Sequence, residues 1–444
     1  MSVNPLLAKG FVTFLVVGIL LIPLSMISSV IEERSHYRLV AAQSIAERWT
    51  GSQTLIGPVL ALRYRVQVDH EVYDKRLRRD VTETRSEFRH TFIAPTTLDL
   101  SANVATEERA YGIHAVPVYS ADIAISGELP AVSLEQVAAS IDGFERWDRA
   151  ELILGVADAR GFAAVPEVRV GGIGETVAPG SVITADKHAV SVALALDAIS
   201  APLPINVSLR LRGSTTLGVV PLAEEGSYTI AADWPHPQFG GRFLPAERNI
   251  AAEGFNARWE VTHFASSAAA TLVDCGALGC SALVNDVLST AFVDPIDIYT
   301  QAARATKYAM LLILVTFVVF FLLEMLTLRR LHGVNYALVG GSLVVFYLLL
   351  LSLAEHIGFA AAYAVAAVAC IGLAAYYLMP ALGRRLALVY AALQALLSGA
   401  VYGILQSEDH ALMAGSLLVF TMLAVAMLAT RNIDWHRLEM KLPA

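Results

Sequence analysis

Along the chain, apolar positions fall into two regimes. From residue 308 to 430 they run almost unbroken, whereas from 31 to 300 they mix with polar ones. Six apolar runs, 11–30, 308–328, 336–354, 358–378, 386–405 and 411–430, are long enough to cross a bilayer. A hydrocarbon core of about 30 Å takes about 20 helical residues, and lipid offers no partner to an open backbone N–H or C=O. Between the first two runs the period changes to two. In ALRYRVQV, Leu62, Tyr64, Val66 and Val68 alternate with Arg63, Arg65 and Gln67, and SVALALD (191–197) and NVSLRLRG (206–213) repeat the pattern. Alternation places one side of each strand in a core and the other in water. GG, PG and EEGS punctuate these runs as turns, and GGIGE (171–175) reads as a turn too. Two helices are expected among the strands. RLVAAQSIAERWTGSQ reads as a short amphipathic helix stopped by Gly51, and VSLEQVAAS has a capping box between Ser133 and Gln136. DKRLRRDVTETRSEFRH (74–90), dense in both signs of charge, reads as a solvated hairpin.

These patterns predict an α+β membrane protein with a β-rich, antiparallel-sheet extracytoplasmic domain inserted after the first of six transmembrane helices. Residues 1–30 would be a cytoplasmic N-terminus and signal anchor, 31–300 the periplasmic β-rich domain, 301–430 a five-helix bundle and 431–444 a cytoplasmic tail. Charge orients the spans, since basic residues collect in cytoplasmic loops. Arg329, Arg330, Arg384, Arg385, Arg431, Arg437 and Lys441 occupy one set of connections; AEHIG and QSEDH, without Lys or Arg, occupy the other. Both termini are therefore expected in the cytoplasm. Arg304 and Lys307, just before the second span, are a mild exception.

Composition sharpens the class. The chain is 56% hydrophobic and only 16% charged, against about 25% charged residues in soluble domains. A net charge of −8 gives no reason to expect nucleic acid as a partner. Three cysteines are too few for a disulfide scaffold. Cys275 and Cys280 are read as a candidate disulfide in preference to a metal or redox pair, and Cys370, inside a span, as a packing residue.

Candidate chemistry is sparse. No G-x-S-x-G, H-E-x-x-H, Walker or Ser/Lys signature occurs, and no catalytic residue, cofactor or metal is assigned. The candidate functional polar cluster is Glu324, Arg304, Lys307, Glu355, His356, Glu408, Asp409 and His410. Glu324 lies five positions before Arg329, about 7 Å from the inner boundary at 1.5 Å per residue; it suits either ion coupling or pairing with Arg384 or Arg385. The others gather at the outer ends of the spans, where opposite charges at one depth are read as ion pairs locking helix tips.

Several stretches taken together resemble the CreD family of bacterial inner-membrane proteins. AERWTGSQTLIGPVLALRY, DWPHPQFGGRFLP and GFNARWEV are similar to its outer domain. DPIDIYTQAARATKYAMLLILVTFVVFFLLE, FYLLLLSLAEHIGFAAAY, LQSEDHALMAGSLLVF and RNIDWHRLE are similar, in order, to its membrane part. The chain departs from the family in 69–90 and in SSAAATLVDCGALGC. The resemblance implies a protein of cell-envelope integrity, expressed under two-component control during envelope stress, β-lactam exposure included. It supplies no catalytic residue. The expected partners are the lipid bilayer and a periplasmic protein or cell-envelope component. Two other readings stand beside it. One is a transporter or channel using Glu324, Gln394, Tyr347, Tyr363, Tyr376 and Tyr390. The other is an enzyme acting on lipid-linked substrate through Glu355, Glu408, Asp409 or the histidines.

Overall fold

The computed structural model describes residues 5–74, 79–111, 114–180, 189–274, 281–292, 298–327, 331–406 and 411–431. Contacts divide the chain into a helical unit, 1–39 with 296–444, and a β unit, 40–295.

The β unit is two eight-stranded sheets face to face. In chain order its strands are β1 (Gln53–Asp74), β2 (Arg79–Ile93), β3 (Thr97–Tyr111), β4 (His114–Leu129), β5 (Phe144–Val156), β6 (Glu167–Val170), β7 (Ile173–Glu175) and β8 (Val177–Pro179). Then come β9 (Ala189–Leu194), β10 (Leu203–Ser214), β11 (Thr216–Val220), β12 (Glu225–Ala232), β13 (Pro237–Gly241), β14 (Glu247–Ala251), β15 (Gly254–Thr262) and β16 (Leu288–Phe292). The first sheet runs β13-β16-β11-β1-β5-β9-β8, with β2 also paired to β1; the second runs β14-β15-β12-β3-β4-β10-β6-β7. The alternating stretches are strands, and 79–90 forms one arm of the β1–β2 hairpin. The expectation of antiparallel sheets needs correction at two places. β1 pairs with β11 in parallel, and so does β3 with β12. Those partners are far apart in sequence, so local alternation carries no trace of their direction.

Alternation fills the space between the sheets. Leu55, Leu60 and Leu62 of the first meet Leu100, Ile125, Tyr228 and Trp259 of the second, all at most 2% exposed. Each such side chain contributes about 1.5–3 kcal/mol through removal from water. Tyr119 Oη crosses between sheets to donate to Thr216 O at 2.8 Å. Gly213 makes room for it, because a Cβ there would lie 2.2 Å from that hydroxyl. Ser133 caps the helix over Leu134–Ala139 by accepting from Gln136 N–H at 3.4 Å. Gly171 and Gly172, both at positive φ, make the turn between β6 and β7.

The first span and the expected amphipathic helix are one helix, α1 (Pro5–Arg48), of which the part up to Leu39 belongs to the helical unit. The break expected between them is absent because 31–40 holds no Gly or Pro. With α2 (Leu134–Ala139) and α3 (Ala268–Asp274) in the β unit, the remaining helices are α4 (Ile298–Lys307), α5 (Ala309–Thr327), α6 (Gly333–Ile357), α7 (Phe359–Leu382), α8 (Arg384–Gln406) and α9 (Ala411–Thr430). Among the described residues four helices are long and apolar enough to cross a membrane, five if α4 and α5, bent by 41°, form one span. Within α9, Met413–Val425 is a further, shorter apolar stretch. Exposed Phe14, Val368, Leu396 and Leu428 suit lipid rather than water. Val16, Leu20, Leu24 and Ile27 of α1 join Phe317 and Leu343 in one core. One glycine alone joins α6 to α7, Gly358 (φ 77°, ψ 160°), and one alone joins α7 to α8, Gly383 (φ 83°, ψ 157°). Only glycine enters that region without strain.

Candidate functional site

The polar residues singled out in the helical unit separate into distinct places. Glu324 sits in the last turn of α5. Its Oε1 accepts from Leu331 N–H at 3.0 Å, and its Oε2 accepts from Tyr336 Oη at 3.1 Å. The carboxylate thus ties the end of α5 to the start of α6. Arg384 and Arg385 are both exposed.

Glu355 lies near the other end of α6, only 12% exposed. It accepts from Tyr299 Oη at 3.0 Å, and Arg34 Nη1 of α1 stands 3.9 Å away. One carboxylate therefore joins α1, α4 and α6. Neither Arg34 nor Tyr299 announced itself in the sequence. His356 is exposed and its Nδ1 lies 3.2 Å from Ser352 O. Arg304 is half-buried and Lys307 exposed. Glu408, Asp409, His410, Cys275 and Cys280 lie outside the described residues, as do Arg329, Arg330, Arg437 and Lys441. Among the described residues no group of three or more His, Cys, Asp or Glu side chains is placed to hold a metal. Cys370 is a free, buried thiol.

Inside the bundle, Thr316 Oγ1 of α5 donates to Gln394 Oε1 of α8 at 3.0 Å. Tyr363 Oη of α7 donates to Ser398 O at 2.8 Å. Each interhelical bond of this kind adds about 0.6–2 kcal/mol in lipid.

The β unit offers the larger open surface. On the second sheet, every other residue of β12, β3, β4 and β10 faces outward, and most of these side chains are short. The register sets Ser227, Asp99, Ser126 and Asn206 in one row across the four strands. Thr229, Ser101, Ala124 and Ser208 form the next row. Short side chains between longer ones leave a trough. It comprises a depression of about 590 Å³ that shares Asp99 and Ser126 with one of about 810 Å³ and Ser101 and Ser208 with one of about 460 Å³. Asp122 pairs with Arg210 at 2.6 Å, and Glu260 with Arg258 at 3.1 Å. Asp99, Glu128, Glu167 and Glu225 have no ion-pair partner among the described residues. Hydroxyls, amides and carboxylates line this surface; it can exchange hydrogen bonds with a polar ligand but offers little apolar contact. Period-two alternation located the strands; the pairing that assembles the rows is long-range and was not legible.

Two further polar constellations in the β unit escaped the sequence reading. Asp286, 4% exposed, accepts from Ser267 N–H and Ser267 Oγ at 2.7 Å each, from Ser266 Oγ at 3.3 Å and from the Arg242 guanidinium. Burial pushes this carboxyl up, but Ser267 and Arg242 outweigh burial and hold it below the usual carboxylate range. His90 lies across the strand pair from Arg63. Burial first, then Arg63 and Arg149, push its imidazole down to about 4.

Residues 5–436 match the family model described as "Inner membrane protein CreD". The chain is 34% identical to the inner membrane protein CreD of Escherichia coli (strain K12), over 98% of this chain and 94% of that protein. Among solved structures, an M1 zinc metallopeptidase from Deinococcus radiodurans matches at 10% identity and a TM-score of 0.20, over 37% of this chain and 38% of that one. A variant of it bound to a Tyr-Ser-Ala substrate matches at a TM-score of 0.19. Overlap that small transfers neither fold nor activity.

Proposed function

Because the chain belongs to the CreD family of inner membrane proteins, we propose that it maintains the cell envelope as a binding protein rather than an enzyme. In this reading six helices cross the inner membrane, both termini lie in the cytoplasm, and the β unit stands in the periplasm. There it holds a periplasmic protein or an envelope component, and the helices anchor it. The trough on the second sheet carries the reading. It is the broad polar concavity of the β unit, and its unpaired carboxylates and short hydroxyls suit a polar ligand.

The test is photo-crosslinking in living cells. A photoreactive residue replaces Ser101, Ser126 or Ser208 on the trough, or Glu83 on the exposed hairpin as a control. The expected result is one discrete envelope component captured from the three trough positions and not from the control. Identical background from all four would refute the trough as the binding surface. A transport reading draws on the Thr316–Gln394 bond inside the bundle. It fails if Glu324→Gln leaves every flux in reconstituted vesicles unchanged.

A further inference from the structure

The seam between α5 and α8 carries more polar atoms than its own hydrogen bonds use. The two helices run antiparallel. Thr316 meets Gln394, and one turn on Phe320 stacks on Tyr390 with ring centroids 5.1 Å apart. The next α5 position on that face is Glu324, bonded to Tyr336. Phe320 and Tyr336 are themselves in ring contact at 5.6 Å. Tyr390 and Gln394 are 1% and 3% exposed. Among the described residues Tyr390 Oη and Gln394 Nε2 nevertheless have no hydrogen-bond partner, and Thr316 Oγ1 shares its one proton between Leu312 O and Gln394 Oε1.

Such donors are costly in hydrocarbon, where neither bulk water nor lipid tails can accept from them. The helix packed on the other side of α8 cannot help. Tyr363 bonds to Ser398 O, so α7 runs antiparallel to α8. That register sets Ala366, Cys370 and Ala374 beside the Gln394–Tyr390 stretch, and all three are buried. These side chains are short and donate or accept weakly or not at all. Buried polar atoms that the protein leaves without a partner are where internal water resides.

We propose that the α5–α8 seam binds ordered water inside the membrane bundle, held by Tyr390 Oη–H and Gln394 Nε2–H. The water accepts from both donors and links the Thr316–Gln394 rung toward the Glu324–Tyr336 rung. The seam is thereby a hydrated polar lock that fixes the register of α5 against α8. It concerns the helical unit alone, so its failure leaves the trough reading untouched.

The experiment is radiolytic hydroxyl-radical footprinting of the full chain in lipid nanodiscs, read by mass spectrometry. Radicals form from bound water and oxidise the side chains touching it. Tyr390 should be oxidised well above the Phe346 background, toward the extent seen at solvent-exposed Tyr73. Phe346, equally buried in apolar packing, should stay at background. A second measurement is the melting temperature of Tyr390→Phe. A hydrated hydroxyl is missed when removed, so the variant should melt lower; a dry, unpartnered hydroxyl is better gone, so a variant melting at or above the parent contradicts the proposal. Tyr390 oxidation at the Phe346 background overturns it whatever the melting result. Should Tyr390→Phe fail to fold, footprinting of the parent decides alone.

Discussion

Asp286→Asn tests the polar knot that closes the β unit. Asn keeps the size of the side chain and removes its charge. The three serine bonds fall on Oδ2 and the Arg242 bond on Oδ1, so the Asn amide nitrogen turns to Arg242, that bond is lost, and the serine bonds lose their charge. Hydrogen bonds to a buried charge contribute about 1.5–3 kcal/mol each, and a donor left unsatisfied adds to the loss. Arg242 is 53% exposed and can turn to water, which moderates the cost of orphaning it. The sum is about 2–4 kcal/mol, and at roughly 2–4 °C per kcal/mol for a unit of this size the melting point should drop by about 5–15 °C. Tryptophan fluorescence is the assay, because Trp49, Trp147, Trp234 and Trp259 all lie in 40–295. Asp286 also predicts a pH dependence. Its folded value is below the unfolded one, so its stabilisation is complete above the ordinary value of 3.8 and fades as pH falls through the lower folded value. The gap between parent and Asp286→Asn should therefore be full at pH 7 and shrink below about pH 4. A variant melting within about 1 °C of the parent at pH 7 would refute the account, given that one charged hydrogen bond alone should move it further.

Four other substitutions probe features of the same two units. His90 is held neutral, so the unfolded chain binds a proton first as pH falls; stability should decline between 6.5 and about 4. His90→Gln should flatten that decline in a pH series of thermal melts. Gly358→Ala should cost about 1–3 kcal/mol in detergent unfolding, because its backbone occupies a region closed to side chains. Gly372→Ala, in mid-helix with open space around it, should be neutral or stabilising by contrast. Gly213→Ala drives a methyl into Tyr119 and should cost about 2–4 kcal/mol in melts of the β unit, from overpacking and the lost bond to Thr216 O.

What could be read from the sequence was what repeats locally. The apolar runs at 336–354, 358–378 and 386–405 lie within α6, α7 and α8 to within a few residues. Ser133 and Gln136 marked a helix start that the structure contains. Long-range pairing left no such mark. Gln53 lies beside Leu217 and Thr97 beside Glu225, and nothing near those residues states it. The carboxylates Glu324 and Glu355 stood out because charge is rare in apolar surroundings. Their partners Tyr336, Tyr299 and Arg34 did not, since a tyrosine, or an arginine just past an apolar run, is ordinary until the tertiary fold brings it near. The trough needed four strands in register, and no single strand implies it.

The parallel pairing of β1 with β11 bears on biosynthesis. A chain made from its N-terminus delivers β1 early, yet Leu55 and Ile56 must wait for Val219 and Val220, and β11 in turn for β16. Until Leu288–Phe292 has emerged, apolar strand edges stay open to wrong neighbours, the usual hazard of non-local sheets during synthesis. The last of these strands ends just ahead of α4 at Ile298. Translation arrested anywhere between 217 and 292 would therefore release a fragment with a frayed first sheet, a substrate for proteases rather than a shorter working protein.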